Sequence, residues 1–239
     1  MFSPPPLPPT REVKGEWSKE PWNHGIFSCA NDCAVFCYTC ACPFCAVASS
    51  RHQFDGSDWL FNFFCINPCV IRSLVRRQYQ LEGHYCEDIT LSSLCFCCSI
   101  CQIMNEVESR GSIIETNMSR HPQTLGWNNR LLEKADNPCI CCAGFLCYPC
   151  LTAHALSKYN GSSVCFNLCC VNQCASRNFI RHGYRINGTC LDDVLAPTFM
   201  PCCSALQVYH EVASRSHQRA SQRAGASNGN GVSANTINR

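Results

Sequence analysis

The sequence predicts a mainly α fold: two tandem, small cysteine-rich modules of about three helical segments each, with disordered tails. Three observations carry that prediction. Shifting the 239-residue chain by 105 positions lays seven cysteines on seven others without a gap: Cys37, Cys42, Cys45, Cys65, Cys69, Cys97 and Cys98 fall on Cys142, Cys147, Cys150, Cys170, Cys174, Cys202 and Cys203. The frame between them matches too, at Trp22/Trp127, Ala48/Ala153, Asn62/Asn167, Arg72/Arg177, Arg76/Arg181, Tyr79/Tyr184, Gly83/Gly188, Asp88/Asp193, Gln102/Gln207 and Glu106/Glu211. Within each copy, three apolar segments are punctuated by turn residues, and two of the three carry a helical period.

Residues 1–15 are a proline-rich tail, extended by composition. Its Pro6-Leu-Pro-Pro9-Thr-Arg11 has the order that docks into SH3 grooves, although a solvated leader is the commoner meaning of such a motif. The first module occupies 16–110, with apolar segments at about 29–50, 58–80 and 86–109. The first segment is broken by Pro43, as its counterpart is by Pro149. In the second, Cys65, Cys69, Arg72 and Arg76 follow i, i+4, i+7 and i+11, one face of a helix, and Cys170, Cys174, Arg177 and Arg181 repeat them. Pro68 interrupts this helix where Gln173 does not, so the kink is expected to be tolerated rather than required. In the third, Cys98, Gln102 and Glu106 recur every four residues, and Asp88 or Asp193 stands near the start, where acid suits a helix N-terminus. A polar linker at 111–124 leads to the second module at 125–215, and a Ser/Asn/Gly-rich tail at 216–239 reads as disordered.

Composition narrows the function. A net charge of +2 with 15% charged residues leaves no basic stripe, so nucleic acid is not an expected partner. The opening residues lack the basic and apolar regions of a signal peptide, which predicts a chain on the cytoplasmic side. Thiols there stay reduced, so 25 cysteines read as metal ligands or lipid acceptors before disulfides. Asn-x-Ser/Thr triplets at Asn117, Asn160 and Asn187 carry no meaning without secretion. The charge-free runs 33–50 and 137–157 approach the roughly 20 residues of a membrane span, but both contain proline. Buried or interfacial helices explain them equally well.

The motif with most chemistry is Cys-x4-Cys-x2-Cys, at Cys37-Cys42-Cys45 and Cys142-Cys147-Cys150. A Cys-x2-Cys pair can grip a tetrahedral Zn²⁺ at about 2.3 Å per sulfur. Cys65 with Cys69, or Cys97 with Cys98, can complete a four-thiolate site, and Cys170 with Cys174, or Cys202 with Cys203, does so in the second copy. The repeated cysteines are therefore the expected metal ligands, with zinc the expected ion. Packing as small hydrophobes is the alternative, and disulfides rank third. The eleven copy-specific cysteines (Cys29, Cys33, Cys40, Cys86, Cys95, Cys101, Cys139, Cys141, Cys165, Cys169 and Cys190) suit S-palmitoylation, which needs only exposure beside a membrane. Catalysis is not expected, because His52 and His154 have Ser157 and Ser49 as counterparts and no base travels with the thiols. The repeated arginines are expected on a solvated face or paired with Glu106 and Glu211.

The chain resembles the placenta-specific gene 8/cornifelin family. Cys141-Cys142-Ala-Gly-Phe-Leu-Cys147-Tyr-Pro-Cys150 fits its hallmark, while the first copy has Phe36 in place of the leading cysteine. Trp22-Asn-His-Gly-Ile-Phe27, the Arg72 to Gly83 segment and Cys97-Cys98-x2-Cys101-Gln102 are also similar to it, over residues 17–110 and 126–215. The resemblance implies membrane association, plausible metal handling and no shared enzymatic activity. The expectation is a non-enzymatic, membrane-associated adaptor or regulator with structural zinc. Protein partners and a homo-oligomer are expected as well. The alternatives are a heavy-metal (zinc or cadmium) transport or tolerance protein and a disulfide-crosslinked structural protein.

Overall fold

Each of the three apolar segments folds as two helices, not one. The computed structural model describes residues 20–112, 126–128, 130–131 and 138–229, with side chains described only to residue 216 in the last helix. After a short 3-10 turn at Ser28–Asn31, the first repeat contains α1 (Cys33–Ala41), α2 (Pro43–Asp55), α3 (Trp59–Cys65), α4 (Pro68–Gln78), α5 (Tyr85–Leu94) and α6 (Phe96–Arg110). The second contains α7 (Pro138–Leu146), α8 (Tyr148–Asn160), α9 (Val164–Cys170), α10 (Gln173–Tyr184), α11 (Cys190–Phe199) and α12 (Pro201–Gly229). No strand occurs among the described residues; one isolated bridge joins Glu20 to Leu81.

Local chemistry sets the breaks. Pro43 and Pro68 stand at N1, where a missing amide hydrogen costs nothing. The α3–α4 break recurs between α9 and α10 without proline, so proline is not its cause. Asn67 and Asn172 make it: each side-chain oxygen accepts the N3 amide, from Val70 at 3.0 Å and from Ala175 at 2.7 Å. The single middle helix expected from spacing is thereby corrected, and Cys65 lies on α3 rather than on the α4 face that carries Cys69, Arg72 and Arg76. Gly56 and Gly161 close α2 and α8 in the left-handed region, at φ 69° and 70°. The helical backbone of α12 runs past residue 216 to Gly229, where composition had suggested disorder. No proline follows Pro201, and the Gln-Arg-Ala steps are good helix formers. The proline-rich motif, most of the 111–124 linker and residues 230–239 lie outside the described residues.

One hydrophobic core runs through both repeats. Ala46, Val47, Phe61, Ile71, Val75, Ile100, Ile103 and Val107 pack in a single cluster with Ala155, Leu156, Phe179, Ile180, Val208 and Val212. Packing differs between repeats by exchange of volume. Buried Thr39 on α1 meets Cys101 on α6 at 3.4 Å. At the matching crossing Gly144 faces Leu206, and a Cβ at 144 would stand 2.8 Å from the leucine Cγ. The repeats join along a reciprocal seam. Asn67 Nδ2 donates to the Cys170 carbonyl at 2.7 Å, and Asn172 Nδ2 donates to the Cys65 carbonyl at 2.6 Å. Arg51 crosses the same boundary, donating to Asn178 Oδ1 at 2.9 Å with its guanidinium 4.4 Å from the Phe179 ring centre.

Candidate functional site

The polar residues common to both copies form a buried frame, not a solvated face. Arg72 and Arg76 stand one turn apart on α4, opposite Asp88 in the first turn of α5. Arg76 donates from Nε to both Asp88 oxygens at 3.1 and 2.9 Å and from Nη2 to Oδ2 at 2.7 Å, while Nη1 reaches the Gly83 carbonyl at 3.1 Å. Arg72 approaches Asp88 at 3.4 Å, donates to Gln102 Oε1 at 2.6 Å and stacks its guanidinium 4.4 Å from the Trp22 ring centre. The second repeat reproduces this. Arg181 donates to Asp193 at 2.7 Å and to the Gly188 carbonyl at 3.2 Å. Arg177 donates to Gln207 at 2.7 Å and covers Trp127 at 4.2 Å.

The expected pairing of these arginines with Glu106 and Glu211 is therefore corrected. Those carboxylates are buried against Arg110 and Arg215 instead, and accept the backbone amides of Asn23 and Asn128. Burial holds Asp88 and Asp193 above the ordinary carboxylate range, against the pull of the arginines, and holds Arg72 and Arg177 below theirs. Groups so enclosed fix helix positions and offer nothing to a substrate.

The cysteines divide among four places. Cys42 is joined to Cys45 at the start of α2, and Cys147 to Cys150 at the start of α8. Cys37 and Cys142 are exposed on the preceding helices, while Cys202 and Cys203 are half-buried. Cys65 and Cys174 are neighbours across the seam, and their mutual interaction holds Cys174 down to about 7 and pushes Cys65 up. Cys170 lies near Cys69, and burial raises it to about 11. In the first repeat only, Cys98 Sγ stands 3.2 Å from Cys29 Sγ, and Cys97 is hydrogen-bonded to Cys40. Both of these partner thiols come from copy-specific positions. Cys29 is buried, as is Cys101, which removes the two as lipid acceptors, while Cys40 stays exposed. Among the described residues no group of three or more His, Cys, Asp or Glu side chains is arranged to hold a metal ion. The repeated cysteines among them do not converge on a tetrahedral zinc set in this arrangement.

What the thiol clusters border is apolar and exposed. The α1–α2 pair bends by 118° at Cys42, and the α5–α6 pair by 119° at Cys95. Helices α1 and α2 both pack against α6, which brings these two bends together. Phe44 packs edge-on to Phe63 of α3, and Phe63 to Phe64, at centroid distances of 6.3 and 5.0 Å. Phe64 is 78% exposed and Leu94 80%; in the second repeat Leu146 is 87% and Phe199 76% exposed. The runs that form these ends, 33–50, 59–71 and 89–105 with 138–157, 162–176 and 194–210, contain no Asp, Glu, Lys or Arg. The Glu106–Arg110 ion pair lies at the far end of α6, where Glu106 is nine residues, about 14 Å of helix, beyond Cys97. Sequence spacing missed this polarity because it appears only once the helices fold back at Cys42 and Cys95. Among the described residues no single helix is long and apolar enough to cross a membrane.

Comparison with known proteins bears on residues 22–106, which match the PLAC8 family. The chain is 31% identical to the placenta-specific gene 8 protein of Bos taurus over 94 residues, covering 37% of this chain and 72% of that protein. It is 30% identical to cornifelin homolog A of Xenopus laevis over 95 residues, 37% of this chain and 79% of the relative. Cell number regulator 7 of Zea mays aligns over 144 residues at 27% identity, covering 54% of this chain and 74% of the relative. No solved structure matches.

Proposed function

The chain belongs to the PLAC8 family, and from that membership we propose a non-enzymatic regulatory adaptor that sits on a membrane surface by the apolar ends of its repeats. The relatives named as cell number regulators support a regulatory role within a cysteine-rich family. The observation that carries the membrane reading is the set of exposed, charge-free helix bends around Phe44, Phe64 and Leu94, with Leu146 and Phe199 in the second repeat.

The physical case is one of surface energy. Large apolar side chains left in water forgo roughly 1.5–3 kcal/mol each, a deficit that insertion beneath the headgroups removes. Helices bent through more than 100° do not cross a bilayer as one rod, but they can lie about 5–10 Å deep in its interface. The buried Arg–Asp frame keeps each bend rigid, so several side chains enter together. Exposed Cys33, Cys37 and Cys40, with Cys139, Cys142, Cys165 and Cys169 in the second repeat, are the candidate acyl acceptors in this reading. One chain anchors weakly and two anchor stably, so acylation would convert a reversible contact into a lasting one.

Co-sedimentation with phosphatidylcholine/phosphatidylserine vesicles tests this. Phe64→Asp and Leu94→Asp should each weaken partition roughly tenfold or more, from the loss of about 2 kcal/mol of apolar burial. Thermal stability should be unchanged, because both side chains are already in water. A Phe64→Asp/Leu94→Asp/Phe199→Asp variant that still binds like the wild type would refute the reading.

A further inference from the structure

The seam between the repeats holds a pair of sulfurs that neither the frame nor the membrane face uses. Cys65 ends α3 and Cys174 lies in the first turn of α10. The chain places them 109 residues apart, yet the seam sets them side by side, both packed against the shared core. The contact is held from both sides. Asn172, two residues before Cys174, donates its side-chain amide to the carbonyl of Cys65 itself at 2.6 Å. Asn67, two residues after Cys65, makes the reciprocal bond to Cys170 at 2.7 Å. The same two asparagines cap α4 and α10, so the caps that start these helices also fix the distance between the sulfurs. The related pair is less well placed, because the Cys69 thiol is engaged with Ser92 instead of Cys170.

We propose that Cys65 and Cys174 are a redox modification site, joined by a peroxide-class oxidant into a disulfide that fastens the two repeats across this seam. Both sulfurs are half-buried, within reach of a small oxidant, whereas Cys29 of the Cys29–Cys98 pair is buried within one repeat. Oxidation removes one hydrogen from each thiol and forms the S–S bond. The two electrons and two protons released break the O–O bond of hydrogen peroxide, which leaves as two waters. A reducing cytosol returns the pair to thiols, so the bond is a reversible mark rather than a structural cross-link. Its consequence is specific to a chain with two repeats. The disulfide closes a loop that runs through much of both, which restricts the unfolded chain and raises resistance to unfolding.

The test uses the full chain, reduced, treated with hydrogen peroxide, capped with N-ethylmaleimide and digested without reductant. Mass spectrometry with fragment-ion assignment should find a cross-linked peptide joining Cys65 to Cys174, absent before oxidation and lost on adding dithiothreitol. The Cys170→Ser chain should keep that peptide and Cys65→Ser should lose it. The unfolding midpoint should rise on oxidation in the wild type by more than in Cys65→Ser. Recovery of Cys65 and Cys174 both carrying the alkyl cap after oxidation, or of Cys65 bound to another cysteine, would overturn the proposal. Because the wild-type map decides the matter, it holds even if a variant folds poorly.

Discussion

Asp88 neutralises two buried arginines, so removing its charge leaves both without a counterion. Asp88→Asn should cost about 3–5 kcal/mol in urea unfolding, and Asp193→Asn a similar amount. Replacing the whole pair, as Arg76→Met with Asp88→Leu, should cost less than Asp88→Asn alone, because no charge is then stranded. The repeated spacing made these arginines visible in the sequence but not their partner. Asp88 and Glu106 both recur at the 105 shift, and only burial on folding decides which carboxylate lies against α4. His182 supplies a pH test. Burial first, and then the Arg181 guanidinium that donates to its Nε2 at 3.2 Å, lower it from 6.5 to about 4. Its contribution to stability is therefore complete above pH 6.5 and is lost as pH falls toward 4, by up to about 3 kcal/mol. Asp88 and Asp193, held above the ordinary range, act in the opposite sense, so the comparison must be with His182→Gln. Urea midpoints of wild type and variant should diverge between pH 7 and pH 4, with the variant flatter. Parallel curves would show that His182 is not held neutral.

Among the elements, the helix breaks carry the architecture. Proline marked three of them in the sequence, at Pro43, Pro68 and Pro149, but the cap at Asn172 has no proline beside it and went unread. An asparagine inside a helical period looks like a solvated residue, because capping depends on the backbone it helps to create. Asn67 serves both its helix and the seam, so Asn67→Ala should lose the cap and an interrepeat hydrogen bond, about 2 kcal/mol together. Asn67→Asp keeps the capping oxygen and removes the donor, so it should cost about half as much. No loss from Asn67→Asp would mean that the bond to Cys170 contributes nothing, and equal losses from both substitutions would mean that the cap contributes nothing.

In the whole molecule, the sequence made the duplication legible and led to the mainly α class, while the joining of the repeats was not readable. At the join, Arg51 and Asn178 have no like counterpart at the 105 shift, and self-comparison sets Cys65 with Cys170 and Cys174 with Cys69 rather than with each other. The continuous core predicts a single calorimetric unfolding transition for both repeats, and two resolved transitions would contradict it. The proposed membrane attachment requires that each repeat have an apolar end that enters lipid and a polar end that does not. Photocrosslinking tests it most directly, with a benzophenone amino acid at Leu94, at Phe199 or at exposed Glu108 near the frame, and the full-length protein on vesicles. Lipid adducts are expected from Leu94 and Phe199, and none above background from Glu108. Equal labelling from all three positions, or none from any, would contradict it.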